Sequence, residues 1–139
     1  MIYITLFLHG VLAASLVPFP SEASFLVALD NGEPYLWCLL AVGFGNTTGS
    51  LLTYLLARVL PVDHKWMRRL GTGSKHWKRV EAWSQKNGNY VSFFCWVPFV
   101  GDLIALALGV FRTNIAGYTL IMAIGKFFRF TLISMAYWP

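Results

Sequence analysis

Residues 17–22 read Val17-Pro18-Phe19-Pro20-Ser21-Glu22, and eighty positions further on the chain writes Val97-Pro98-Phe99-Val100-Gly101-Asp102. Each copy sets a proline break and an acidic side chain inside an apolar stretch, and each is followed by a second apolar stretch of spanning length. In hydrocarbon a broken helix leaves backbone groups that the protein itself must satisfy, and a charge at mid-depth costs several kcal/mol. A device this expensive, used twice at one spacing, reads as a tandem of two membrane units sharing a site.

Composition agrees with a bilayer and excludes a soluble domain: of 139 residues 57% are hydrophobic, 17% aromatic and only 12% charged. Eight of the eleven Lys and Arg fall between Arg58 and Lys86, whereas the short connection Asp30-Asn31-Gly32-Glu33-Pro34 holds two acids and no base. The positive-inside rule therefore puts the central segment in the cytoplasm and the 30–34 turn on the other side. The basic balance does not point to nucleic acid. Its cations flank spans and alternate with Trp66, Trp77 and Trp83, the arrangement of a lipid headgroup surface. Residues 1–17 lack the positively charged start of a signal peptide and belong to the structure. Cys38 and Cys95 belong to no C-x-x-C or metal pattern and read as small apolar filler. His9, His64 and His76 form no ligand cluster, and no serine or cysteine has a base and an orienting group, so neither a metal site, a cofactor nor nucleophilic catalysis is expected.

Along the chain, 2–17 is helical in composition, Pro18 and Pro20 break it, and 21–29 resumes with Ser21 placed as an N-cap. A helix over 35–60 carries Gly45-Asn46-Thr47-Thr48-Gly49, whose G-x-x-x-G spacing lets another backbone approach. Pro61 ends it. An amphipathic helix over 75–87, capped by Ser74 and stopped by Gly88, is expected to lie on the cytoplasmic leaflet, with Trp77, Val80 and Trp83 on one side. A second unit follows: an apolar piece from Asn89 to Val97, a break at Pro98, a restart at Gly101 and Asp102, then a last span over 115–138 with Lys126 and Arg129 near its middle. The same offset lands Gly125 on Gly45. The expected fold is an all-α integral membrane domain, repeat 1 over 1–61, a basic linker with the amphipathic helix over 62–88, and repeat 2 over 89–139. Two topologies satisfy the charge rule. In the favoured one each broken segment is a re-entrant hairpin, the two entering from opposite sides as an inverted repeat, which places sites near the midplane. In the other each is a kinked span, giving four crossings.

The chemistry is expected where acids and bases meet in the bilayer. Glu22 and Asp102 sit at the hairpin tips, and Lys126 and Arg129 lie one turn apart on the last helix. As a pure ion-pair network these groups would only hold the bundle together. As a site, they combine with half-helices that start at Ser21 or Gly101 and turn free N–H groups inward, a setting for an anion such as a lipid phosphate. Protons would then pass through Glu22 and Asp102. Arg58 and Arg112 read equally as snorkelling anchors or as ligands, and Asn46, Thr47 and Thr48 as cavity lining or cross-helix bonds.

At these residues the chain resembles the DedA-like membrane proteins, also described as SNARE-associated Golgi or VTT-domain proteins, and most closely their short YqaA-type branch. The resemblance rests on Pro20-Ser21-Glu22, on Gly45-Asn46-x-x-Gly49 followed by Ala57-Arg58 and Pro61, on Trp96-x-Pro98-x-Val100-Gly101-Asp102-Leu103, and on Gly125-Lys126-x-x-Arg129, and it covers nearly the whole chain. It implies paired re-entrant helices, a bacterial plasma-membrane location, and a role in moving lipids; the wider family is linked to recycling of polyprenyl-phosphate carriers, lipid scrambling and proton-motive-force homeostasis. Glu22 matches the acid after the first break and Arg58 the arginine that ends the G-x-x-x-G helix. Larger relatives carry an arginine just before the second proline, where this chain has Cys95-Trp96, which shifts the basic role toward Lys126 and Arg129. The function expected is a translocase for an anionic phospholipid or polyprenyl-phosphate headgroup, its partners being membrane lipids, protons and a second copy in a homodimer. A proton-coupled cation or drug antiporter and a membrane organiser without transport are the alternatives.

Overall fold

The computed structural model describes residues 1–14, 20–59, 74–97, 100–111 and 113–137, with only the backbone at 74–78, 80, 81, 100, 102 and 103. The order is α1 (Ile2–Ala13), α2 (Ser21–Asp30), α3 (Tyr35–Val59), α4 (Ser74–Val91), a 3-10 segment (Ser92–Trp96), α5 (Val100–Val110) and α6 (Ile115–Tyr137), with no strand among the described residues. Two of these, α3 and α6, are long and apolar enough to cross a membrane. At 1.5 Å per residue they measure about 37 and 34 Å, against a hydrocarbon core of about 30 Å. Helix α1 is apolar but reaches only about 18 Å.

Helix α1 runs alongside α3 in the same direction. A Cβ on Gly10 would stand 2.7 Å from the Val42 carbonyl oxygen and 2.8 Å from the Asn46 nitrogen, while one on Gly45 or Gly49 would run into the carbonyl of Phe7 or of Val11. Three small residues thus bring two backbones together, the close packing that replaces the hydrophobic effect as the driving force in lipid. Helix α2 then returns: His9 Nδ1 and Ser24 Oγ are 2.9 Å apart, and the Tyr3 hydroxyl donates to Glu33 Oε2 at 2.7 Å, so the start of α1 and the turn after α2 lie together. That turn is a Schellman closure, with Gly32 N–H on the Leu29 carbonyl, Glu33 N–H on the Ala28 carbonyl, and Gly32 at φ 82°, a left-handed conformation that favours glycine.

The two long helices are antiparallel, since Phe44 meets Phe127 at 5.5 Å while Tyr54 stacks on Tyr118 at 4.3 Å. One buried cluster gathers Leu6, Phe25, Ala28, Leu29, Cys38 and Val42 with Phe130 from α6. The other gathers Cys95, Ala105, Leu108, Tyr118 and Met122 with Tyr54 from α3. Phe25, Ala28, Cys38 and Val42 in the first stand eighty positions before Ala105, Leu108, Tyr118 and Met122 in the second.

Two local expectations change. Ser21 is not the cap of α2: Pro20, at φ −78° and ψ 74°, takes that place, and Ser21 is the first helical residue, 1% exposed and making no cap bond. Proline's fixed φ suits the entry to a helix, which leaves the following serine free to be buried. Nor does Gly88 stop the amphipathic helix. α4 continues through it to Val91 and on into the 3-10 segment, because Gly88 faces Thr113 and Leu108, where a Cβ would collide; it is a contact residue, not punctuation. The helix therefore crosses the boundary drawn at 88. Cys38 and Cys95 are free and buried.

Candidate functional site

The middle of each long helix carries a polar residue: Asn46 in α3 and Lys126 in α6. Both are almost sealed, at 4% and 3% exposure, and the Lys126 ammonium donates to Asn46 Oδ1. They are also separated by eighty positions, the offset that relates the two halves of the sequence. A buried ammonium in an apolar bundle is tolerable only with such acceptors around it. One turn further along α6, Arg129 pairs with Glu22 in the first turn of α2, with the two side chains 19% and 31% exposed. Burial here is incomplete, so the pair is within reach of whatever wets or occupies the hairpin. Glu22 also lies at the positive end of the α2 dipole, a favourable place for an acidic side chain.

Local sequence explains the placement. Gly125 precedes Lys126 because the Phe93 carbonyl lies where its Cβ would go, so the 3-10 segment lies directly against the helix face beside the lysine. Gly101, at the start of α5, sits against the Cys95 carbonyl in the same close manner, with its N–H on the Val97 carbonyl at 2.8 Å. Asp102 stands in the first turn of α5, as Glu22 does in α2.

Arg58 is elsewhere. At the end of α3 its Nη1 donates to the Tyr54 hydroxyl at 2.9 Å and to the Thr113 carbonyl at 3.3 Å, and Tyr54 itself donates to that carbonyl. This network ties the end of α3 to the connection between α5 and α6. Thr47 and Thr48 bond back to the Gly43 and Phe44 carbonyls of their own helix, both at 2.8 Å, and so do not line the centre through those hydroxyls. Pro18, Pro98 and Arg112, and the side chain of Asp102, lie outside the described residues. Two partners were missed in the sequence: His9, which reaches Ser24 across the first hairpin, and Tyr54, which joins Arg58 to the other half. A lone histidine within an apolar helix was the one available signal for the first. Among the described residues no group of His, Cys, Asp and Glu could hold a metal ion.

The arrangement offers two cations one helical turn apart at mid-depth, one on an amide and one on a carboxylate. Such cations can bind an anion by exchanging these partners for phosphate oxygens.

Comparison with known proteins places the whole chain. The VTT domain family matches residues 4–138. Inner membrane protein YqaA of Escherichia coli (strain K12) is 28% identical over 133 residues, which covers 95% of this chain and 88% of that protein. An uncharacterized protein of Haemophilus influenzae is 27% identical over 139 residues, covering 92% and 82%. Undecaprenyl phosphate transporter A of Staphylococcus aureus is 26% identical over 136 residues, covering 89% of this chain and 64% of that one. No solved structure matches. With a family match from residue 4 to 138 and two helices of spanning length, the chain belongs to the VTT domain (DedA) family and is a protein of the inner membrane.

Proposed function

We propose that the protein is a lipid translocase that admits an anionic headgroup, of a phospholipid or a polyprenyl phosphate, to the centre of the bundle, where Lys126 and Arg129 bind phosphate while Glu22 and Asp102 take up the protons that the freed acids attract. The observation that carries this reading is the pairing of Arg129 with Glu22 one turn from the buried Lys126, at the middle of a membrane helix. A relative that bears the name undecaprenyl phosphate transporter adds support for a lipid phosphate as cargo. The site would be framed by two re-entrant hairpins of opposite orientation. That architecture is supported by the return of α2 to the start of α1, by the short reach of α1, and by the equal offset between the two buried clusters.

Reconstituted protein is expected to speed the exposure of a headgroup-labelled phosphatidylglycerol to an impermeant quencher, faster than for labelled phosphatidylcholine. Arg129→Ala and Glu22→Gln should each slow it at least tenfold. Failure of the wild type to accelerate flipping, or full activity in both variants, would sink the proposal. A second reading, a membrane organiser whose charges are only structural, draws on the fact that both cations already have partners. It requires that the same variants change melting and leave any lipid movement untouched.

A further inference from the structure

Helix α4 joins the bundle at its far end. From Ser74 it runs to Val91 and passes without interruption into Ser92–Trp96, where Phe93 packs against Gly125 beside Lys126. Gly88, part of the way along, is fitted against Thr113 and Leu108, at the junction of α5 and α6 and hence at the end of a span. With α6 taken as a span, the residues before Gly88 fall at headgroup level. One side of the rod is buried against the protein, with Ser84, Gly88 and Ser92 following at intervals of four. The opposite side carries Arg79, Trp83, Lys86 and Tyr90, all exposed, with Trp83 at 53% and Tyr90 at 73%. At 100° per residue these four fall within about 60° of one another and about half a turn from the buried row.

We propose that this row is a binding surface for the phosphates of anionic phospholipids in the leaflet that it faces. Cation and aromatic alternate along it, and the flanking positions Ala82 and Asn87 carry no charge. A helix face that met only water would have no reason to present an indole and a phenol so openly, whereas at a membrane interface both rings sit among the headgroups. Arginine offers phosphate a planar pair of donors, and lysine a point charge at the next turn. Charge complementarity thus commits the face to an acidic lipid surface. The inference goes beyond transport and does not depend on it, because the surface lies at the end of a span and not at its middle.

The test uses the full chain in phosphatidylcholine vesicles, comparing equal fractions of phosphatidylglycerol and phosphatidylcholine brominated high on the acyl chain. The Trp83 signal is isolated as the difference between wild type and Trp83→Phe. Near an anionic surface each cation enriches the acidic lipid roughly fivefold. Quenching by the brominated phosphatidylglycerol should therefore be several-fold the stronger, should weaken with salt, should be levelled in Arg79→Gln/Lys86→Gln, and should survive in Arg79→Lys/Lys86→Arg. Equal quenching by the two lipids in the wild type would reduce the row to a non-selective anchor and overturn the proposal; absence of quenching by either would overturn it as well. Flipping measured on the same vesicles reports separately on the central site.

Discussion

Replacing Glu22 by leucine would strand a guanidinium in the middle of α6. Arg129 is only 19% exposed and Glu22 31%, so the pair lies between the two limiting cases of a buried and a surface bridge. Breaking a buried pair costs about 3–5 kcal/mol because one charge is left without compensation, whereas exposed pairs are worth about 0.2–1 kcal/mol. For this exposure we expect Glu22→Leu and Arg129→Met each to lose about 2–3 kcal/mol. The double variant removes both charges and their desolvation, and should lose only about 2 kcal/mol in total. The coupling energy is then about 2–4 kcal/mol, of the order found for residues in direct contact. Unfolding by a graded SDS titration in mixed micelles, followed by helical circular dichroism, gives all four corners of the cycle. Single losses that simply add, with coupling below about 0.5 kcal/mol, would refute the argument that this contact holds α2 against α6.

Gly45→Leu should cost at least about 1–3 kcal/mol on the same titration, since its side chain would push into the Phe7 backbone and part α1 from α3. Exchanging the central pair, Asn46→Lys with Lys126→Asn, should preserve folding, whereas Asn46→Lys alone places two ammonium groups in contact and should lower the yield of monodisperse protein several-fold by size exclusion. Cys38 and Cys95, buried and unlinked, should resist a membrane-permeant maleimide in the folded protein and both react after SDS unfolding, as counted by mass.

Much of the architecture is written in local signals. Proline and glycine mark where the apolar stretches break, and the apolar runs over 35–60 and 115–138 match the two long helices Tyr35–Val59 and Ile115–Tyr137 to within one residue. The offset of eighty is visible in Gly45-Asn46 against Gly125-Lys126 before any contact is known. What the sequence could not supply depends on how helices lie on one another. Ser21 looked like a cap because its own side chain favours that role, yet the burial of α2 against the bundle drew it inside. Gly88 looked like a stop because glycine is costly within helices, and only the nearness of Thr113 explains why it is retained there. Lys126 and Asn46 each stand out in the sequence as polar residues within apolar helices, but their meeting requires α3 and α6 to run in opposite directions at one register.

Phe130 fills the cluster built by α1, α2 and α3, and Tyr54 fills the one built around α5. Each half thus lends the plug for the other's socket. A fragment ending after α3 would carry a hollow the size of a phenyl ring where Phe130 belongs, and its own tyrosine would point into lipid. Such halves are bound to each other for their folding, so a cell that makes them as two separate polypeptides should accumulate either one only when the other is made beside it.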